Sequence, residues 1–290
     1  MESAKPKPKH DSRFQKFMRK ALKSPQLVVG TSIVIFFVLV AIFAPLLAPH
    51  DPLYVSIANR FQGLFSPSHI LGTDNLGRDV LSRIIHGARV SLTVGITATA
   101  IGATIGTIIG IISGYYGGKA DSIIMRLIDV MLAFPGLMLA FGLVAALGSS
   151  TFNVILAIAV FAVPTFARIV RASTLDVAKL EYIDAIRAVG AGDLRIIFLH
   201  ILPNILSPII VQATLNVGTA ITGAAALAFL GVGTPPPTPD WGIMITQGRE
   251  ALHLHPRLVI MPGIAIFLLV VGINLFGNGL RDVLQPKKRS

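Results

Sequence analysis

The sequence predicts an all-α integral membrane protein with six transmembrane helices. Three observations carry this prediction: long stretches without a charge, a mean hydropathy of +0.74, and a lopsided distribution of Lys and Arg. No Asp, Glu, Lys or Arg occurs in residues 24–50, 90–118, 130–167, 196–239 or 258–280. About 20 apolar residues cross the hydrocarbon core of a bilayer. Only 13% of the residues are charged, roughly half the share usual in soluble domains. A soluble fold of one or two domains is excluded.

The elements follow in order. Residues 1–25 form a basic tail containing "KPKPKHDSRFQKFMRKALK". It looks like the start of a secretory signal, but the apolar stretch behind it is long enough to span. No small-x-small site closes that stretch, so residues 26–48 are expected to be an uncleaved first span. Residues 49–89 form an extracytoplasmic segment, and the core is expected over 90–281. Its spans are 90–114, 123–148, 152–171, 205–231 and 258–280, with the run 130–167 divided at "LGSSTFN". A cytoplasmic loop occupies 172–204, and residues 282–290 are a cytoplasmic tail.

Positive residues are retained on the cytoplasmic side. Placing both termini inside leaves 19 of the 25 Lys and Arg inside and 6 outside. The formal charge of +11 is therefore an expression of topology, and a nucleic-acid partner is not expected.

Several chemistries are excluded or weak. With no cysteine there is no disulfide, thiol catalysis or thiolate metal site. The stretch "SGYYGGKAD" imitates a phosphate loop, but Ser113 stands where the first Gly is needed and Ala120 where the magnesium-binding hydroxyl is needed. ATP hydrolysis by this chain is not expected, and neither a bound cofactor nor a metal. His253 and His255 suit a ligand pair only in an extended segment. No catalytic set stands out, which argues against a membrane enzyme. Charges within the spans are nearly absent, which argues against a proton- or ion-driven transporter or a channel.

The spans carry packing signals. Gly102, Gly106, Gly110 and Gly114 are four apart and line one helix face, where a second backbone can approach closely. That face packs either within the chain or against another subunit. Gln212, Asn216, Thr219 and Gly223 form one polar-to-small stripe, which either joins helices or lines a wet pathway. Outside the membrane, 51–88 and 232–256 are the sizeable segments, with Trp241 open to partner contact or an interfacial place. Arg126 and Asp129 are spaced to pair locally.

The loop "EYIDAIRAVGAGDLRIIFLHILPN", residues 181–204, interrupts the apolar pattern. Tyr182, Ile183, Ile186 and Val189 form an apolar stripe on a short helix, with Glu181, Asp184 and Arg187 on the other face. A helix this short is marginal in water and must dock. Gly190, Ala191 and Gly192 break it, and Asp193 is placed to cap the next helix. The alternatives are a helix resting on lipid headgroups and a lever gripped by a cytosolic protein.

At these residues the chain resembles the ABC-importer permeases. "D-A-I-x3-G-x9-H-x-L-P", from Asp184 to Pro203, is similar to their cytoplasmic signature E-A-A-x3-G-x9-I-x-L-P. It departs at Asp184, Ile186 and His200 and keeps Ala185, Gly190, Leu202 and Pro203. "LGTDNLGRDVLSRIIHGAR", "PPPTPDWG" and "NLFGNGLRDVLQPK" resemble the dipeptide/oligopeptide/nickel branch, in particular the second permease of the pair; Asn278 stands where that branch more often has Asp. The resemblance implies a type I importer core of five helices preceded by one extra span. It implies a heterodimer with a sister permease, two ATP-binding cassette ATPases that hold the ATP and magnesium, and an extracytoplasmic solute-binding protein. The ATPase-coupling residues would then be Glu181, Tyr182, Asp184, Ala185, Arg187, Gly190, Gly192, Leu202 and Pro203. Di- or oligopeptides are the expected cargo, with nickel, a metal chelate, glutathione or opines as the cargoes of similar permeases.

Overall fold

The computed structural model describes residues 19–284. Most of the basic N-terminal tail and the last six residues lie outside the described residues. The described residues are helical and contain no named strand.

Helix α1 (Pro25–Ile42) opens on Ser24, whose hydroxyl accepts the Leu27 N–H, and carries proline in its first turn where no backbone donor is needed. A break at Phe43 separates it from the short α2 (Ala44–Leu47). Helix α3 (Val80–Tyr116) has 37 residues, about 55 Å at 1.5 Å per residue. It is far longer than the expected 90–114 and begins well inside the segment expected to be extracytoplasmic. Its extra turns exist because Asp79 caps it, accepting the Ser82 N–H at 2.7 Å.

The third expected span is not one straight helix. It divides into α4 (Gly118–Ala133) and α5 (Gly136–Leu147), bent by 87°. Pro135 causes the break: it lacks an N–H and holds Phe134 extended, at ψ 137°. Five helices are each long and apolar enough to cross a membrane, and this bent pair makes a sixth crossing if it counts as one span.

Helix α6 (Thr151–Ala178) starts at Ser150, which accepts the Asn153 N–H. Helix α7 (Glu181–Ala188) is the short loop helix. Helix α8 (Asp193–Phe229) then runs 37 residues, including a π-helical turn at Ile197–Ile201. Helix α9 (Trp241–Gly248) is short, and α10 (Arg257–Leu284) closes the described chain. Prolines 164, 208 and 262 lie inside α6, α8 and α10, as membrane helices tolerate.

The glycine stripe explains the central packing. A Cβ at Gly102 would meet Ala162 Cβ at 2.8 Å and the Ala159 carbonyl at 2.9 Å. At Gly106 it would meet Phe166 Cβ and the Val163 carbonyl, at Gly110 the Ala167 carbonyl and Val170, and at Gly114 Thr174 Cβ and the Arg171 carbonyl. All four are buried, and together they seat α3 directly on the backbone of α6. The close approach is within this chain.

The segment between α2 and α3 is ordered by buried arginines. Arg257, at the start of α10, donates to the carbonyls of Gln62, Leu71 and Thr73. Arg78 pairs with Asp74 at 2.7 Å and donates to Gln247. Trp241 is fully buried: its Nε1 donates to the Ile84 carbonyl at 2.9 Å and its ring meets Phe37 edge-on. This corrects both expectations for Trp241, because α9 folds back over α1 and α3 and takes the indole away from any outer surface.

Candidate functional site

The loop helix α7 docks through two side chains. Ile183 is fully buried and joins Ile111, Val170, Ile196, Ile197 and Ile201 in one apolar cluster, with Ile186 packed beside it. This cluster fastens the loop onto the ends of α3, α6 and α8. The expected stripe of four is therefore corrected to two, because a helix of eight residues buries only one line of side chains. Tyr182 remains 40% exposed and Val189 85% exposed.

The outward face carries the rest of the motif. Glu181, Ala185 and Val189 are exposed, and Arg187 pairs with Asp184 at 3.3 Å, both well exposed. Acidic residues in the first turn and Arg187 in the last complement the helix dipole. Such a pair is worth at most about 1 kcal/mol. The guanidinium lies 5.7 Å from the Tyr115 ring centre. Its pKa is raised above the ordinary value, first by the Tyr115 hydroxyl and further by Asp184 and Asp193.

The joint after α7 needs its glycine. Gly190 has φ +88° with open space around it, and its N–H donates to the Arg187 carbonyl while Ala191 N–H reaches the Ile186 carbonyl. Gly192 is exposed and extended. The expected cap at Asp193 is corrected: Gly192 holds the cap position, with no side-chain hydrogen bond there. Asp193 instead accepts from the Tyr115 hydroxyl at 2.7 Å, so its carboxylate ties α8 to α3.

Leu202 is half-buried and Pro203 exposed. The Leu202 N–H reaches back five residues to the Ile197 carbonyl. Pro203 has no N–H to continue a regular ladder, and the turn before it widens. Asn204 then donates to the Tyr182 hydroxyl at 3.2 Å, a polar tie between α7 and α8.

The polar stripe of α8 does not form one continuous surface. Asn216 is buried and accepts from the Thr99 hydroxyl at 3.2 Å, joining α8 to α3. Gly223 is buried, with Leu137 of α5 at 4.0 Å from where a Cβ would stand. Gln212 is half-buried and Thr219 exposed. Asn216 is thus a helix–helix contact, and Thr219 is left facing outward.

Other pairings differ from their sequence expectation. Asp129 pairs with Arg168 of α6 at 2.5 Å rather than with Arg126, because α6 runs alongside α4. Arg171 forks onto Asp121 at 2.5 and 2.6 Å, and Ser113 donates to the same carboxylate. His255 stacks on Phe61 at 4.5 Å and belongs to no group of three potential metal ligands among the described residues. The His/Asp group that does come together is His50, His69 and Asp79, which the sequence reading missed. The three are 19 and 10 residues apart and follow no ligand spacing.

Comparisons with known proteins place these features in context. A family model described as "Binding-protein-dependent transport system inner membrane component" matches residues 106–290. A second, "N-terminal TM domain of oligopeptide transport permease C", matches residues 12–67. The chain is 46% identical over 279 residues to a dipeptide transport system permease protein of Alkalihalophilus pseudofirmus, covering 96% of this chain and 91% of that one. It is 43% identical to a glutathione transport system permease protein of Pectobacterium atrosepticum, covering 96% and 92%. Among solved structures, the inward-facing MetNI methionine ABC transporter aligns with TM-score 0.58 at 20% identity, over 69% of this chain and 96% of that one. An amino acid ABC transporter aligns with TM-score 0.53 at 15% identity, over 68% and 92%. These two show a shared fold.

Proposed function

This chain belongs to the family of binding-protein-dependent transport system inner membrane components, and from that premise we propose that it forms the translocation pathway for short peptides. It is a multi-pass membrane permease of the ABC-importer family. The observation that carries the cargo is the pair of relatives at 46% and 43% identity, one named for dipeptides and one for glutathione. Glutathione is itself a tripeptide, so both names describe one chemical class. Nickel or a metal chelate stays as the competing cargo.

The pathway is shared with a sister permease, and of the two partner ATPase subunits one docks on the outward face of α7 and the other on the sister permease. Support comes from what α7 leaves uncovered: Glu181, Ala185 and Val189 face away from the chain, while Ile183 anchors the helix from beneath. ATP binding draws the ATPases together and moves α7. The Tyr115–Asp193 and Asn204–Tyr182 contacts carry that movement to α3 and α8. An allosteric coupling of this kind is typically about 1–3 kcal/mol, within reach of a few such contacts. ATP hydrolysis belongs to the partners, not to this chain. Both termini lie in the cytoplasm, in line with the Lys and Arg asymmetry, and a solute-binding protein delivers cargo at the opposite face.

The test uses the chain reconstituted with the ATPase and binding protein that co-purify with it. Thermal shift and calorimetry on that binding protein compare dipeptides, glutathione and Ni²⁺ with and without chelators. Tight binding of dipeptides or glutathione supports the cargo. Binding only of Ni²⁺ or its chelate overturns it, and a chain that captures no ATPase overturns the importer reading.

A further inference from the structure

We propose that His50, His69 and Asp79 form a three-ligand site for a divalent transition-metal cation of the zinc class, clipping the segment between α2 and α3 to the start of α3. The argument begins at Asp79. Its Oδ2 is held by the Ser82 N–H at 2.7 Å as the cap of α3. Its Oδ1 faces both imidazoles, at 2.9 Å from His69 Nδ1 and 3.8 Å from His50 Nδ1. A ligand atom from each of the three residues lies within 4.8 Å of the others.

The His69–Asp79 separation is that of an ordinary hydrogen bond, whereas His50 Nδ1 stands too far from Asp79 for one. Metal–ligand distances of about 2.0–2.2 Å in a tetrahedral site put ligand atoms roughly 3.3–3.5 Å apart. The two separations from Asp79 straddle that range. As a hydrogen-bonded group, the three residues are incomplete. His69 is within reach of the carboxylate, but His50 Nδ1 is shielded from solvent and has no hydrogen-bond partner among the described residues. The two rings lie 4.6 Å apart and tilted by 38°, so their nitrogens converge without an acceptor for the second one. A cation supplies the missing partner.

The donor set decides the class of ion. Two imidazoles and one carboxylate suit zinc and its neighbours, whereas magnesium and calcium take oxygen ligands. The held Oδ2 fixes the orientation of the ligating carboxylate, as supporting hydrogen bonds do in metal sites. The Asp79 and His69 side chains are 1% and 11% exposed, and His50 is 37% exposed. The exposed part of His50 is its outer ring edge, since its Nδ1 is buried and faces Asp79. His50 N–H also donates to the Ser82 hydroxyl at 3.0 Å, so the ion would join residues already gathered around one helix cap.

The experiment uses the untagged full chain in lipid nanodiscs, stripped of metal with a chelator and titrated with Co²⁺ as a spectroscopic stand-in for Zn²⁺. One equivalent is expected to bind with the visible bands of four-coordinate cobalt and to be displaced by Zn²⁺. His50→Gln should weaken binding at least about tenfold, the range seen on disturbing metal-site residues. The double variant His50→Gln/His69→Gln should abolish it, and His253→Gln/His255→Gln should leave it unchanged. Asp79→Asn is avoided because Asp79 also caps α3. If the double variant does not elute as a single species, His50→Gln alone carries the comparison, since its side chain is partly exposed. Absence of saturable one-to-one Co²⁺ binding to the native chain, or binding unchanged in His50→Gln, overturns the site.

Discussion

The Tyr115 hydroxyl donates to the Asp193 carboxylate at 2.7 Å, fastening the last turn of α3 to the first turn of α8. Tyr115 stands one residue beyond Gly114, the last glycine that seats α3 on α6. Asp193 follows the glycine joint after α7. Arg187 of α7 lies 5.7 Å from the same Tyr115 ring, so in the proposed coupling this contact passes movement of α7 to two long helices. Tyr115→Phe keeps the ring and removes only the hydroxyl. A hydrogen bond to a charged group is worth about 1.5–3 kcal/mol, less when exposed, so uptake in proteoliposomes should fall several-fold. ATPase docking should remain intact, as co-purification will report.

Gly190→Val should separate folding from coupling. At φ +88° with nothing within 4 Å of the site, a side chain meets no clash but strains the backbone by about 1–2 kcal/mol. Insertion and monodispersity should survive, and uptake should be abolished. Normal uptake in a well-inserted Gly190→Val would sink the lever role of this joint.

Ala185→Trp tests the outward face. Ala185 is exposed in the free chain, so a bulky residue there perturbs docking and leaves the chain's own packing alone. The melting temperature of the isolated chain should stay unchanged, while ATPase capture on an affinity column is lost.

Two glycine replacements should move stability in opposite directions. At Gly106 a Cβ would press on Phe166 Cβ and on the Val163 carbonyl at 2.8 Å, backbone that cannot step aside. Gly106→Ala should destabilise by about 1–3 kcal/mol, as overpacking does. Gly142, inside α5, has nothing within 4 Å; Gly142→Ala should gain about 0.5–1 kcal/mol from the helix preference. Thermal unfolding in detergent measures both.

Asp240 gives a pH dependence. Burial pushes its carboxyl pKa up, with the Gly242 N–H and the Thr234 and Ser91 hydroxyls pulling the other way. A carboxyl raised in the folded state favours the protonated form. Its contribution is complete below the usual Asp value near 3.8 and is lost as pH rises through the folded value. Asp240→Asn keeps the cap on α9 and removes the charge. The variant should show a flatter melting temperature from acidic to neutral pH, and at neutral pH it should melt above the native chain.

The sequence by itself determined the membrane class, the approximate spans and the family. Charge-free runs and the spaced Ala185, Gly190, Leu202 and Pro203 are local patterns that need no contact to be recognised. The four-residue glycine spacing likewise announced a close helix approach. The tertiary structure decided which partner each patterned residue meets. It placed the glycine stripe on α6, turned Tyr182 and Val189 outward, and took Asp193 away from capping to hold Tyr115. It bent the third span by 87° at Pro135, buried Trp241 against Phe37, and brought His50 and His69 to Asp79. Periodicity along one helix says that a face is apolar, small or charged. Only the packing of helices distant in sequence says what that face touches.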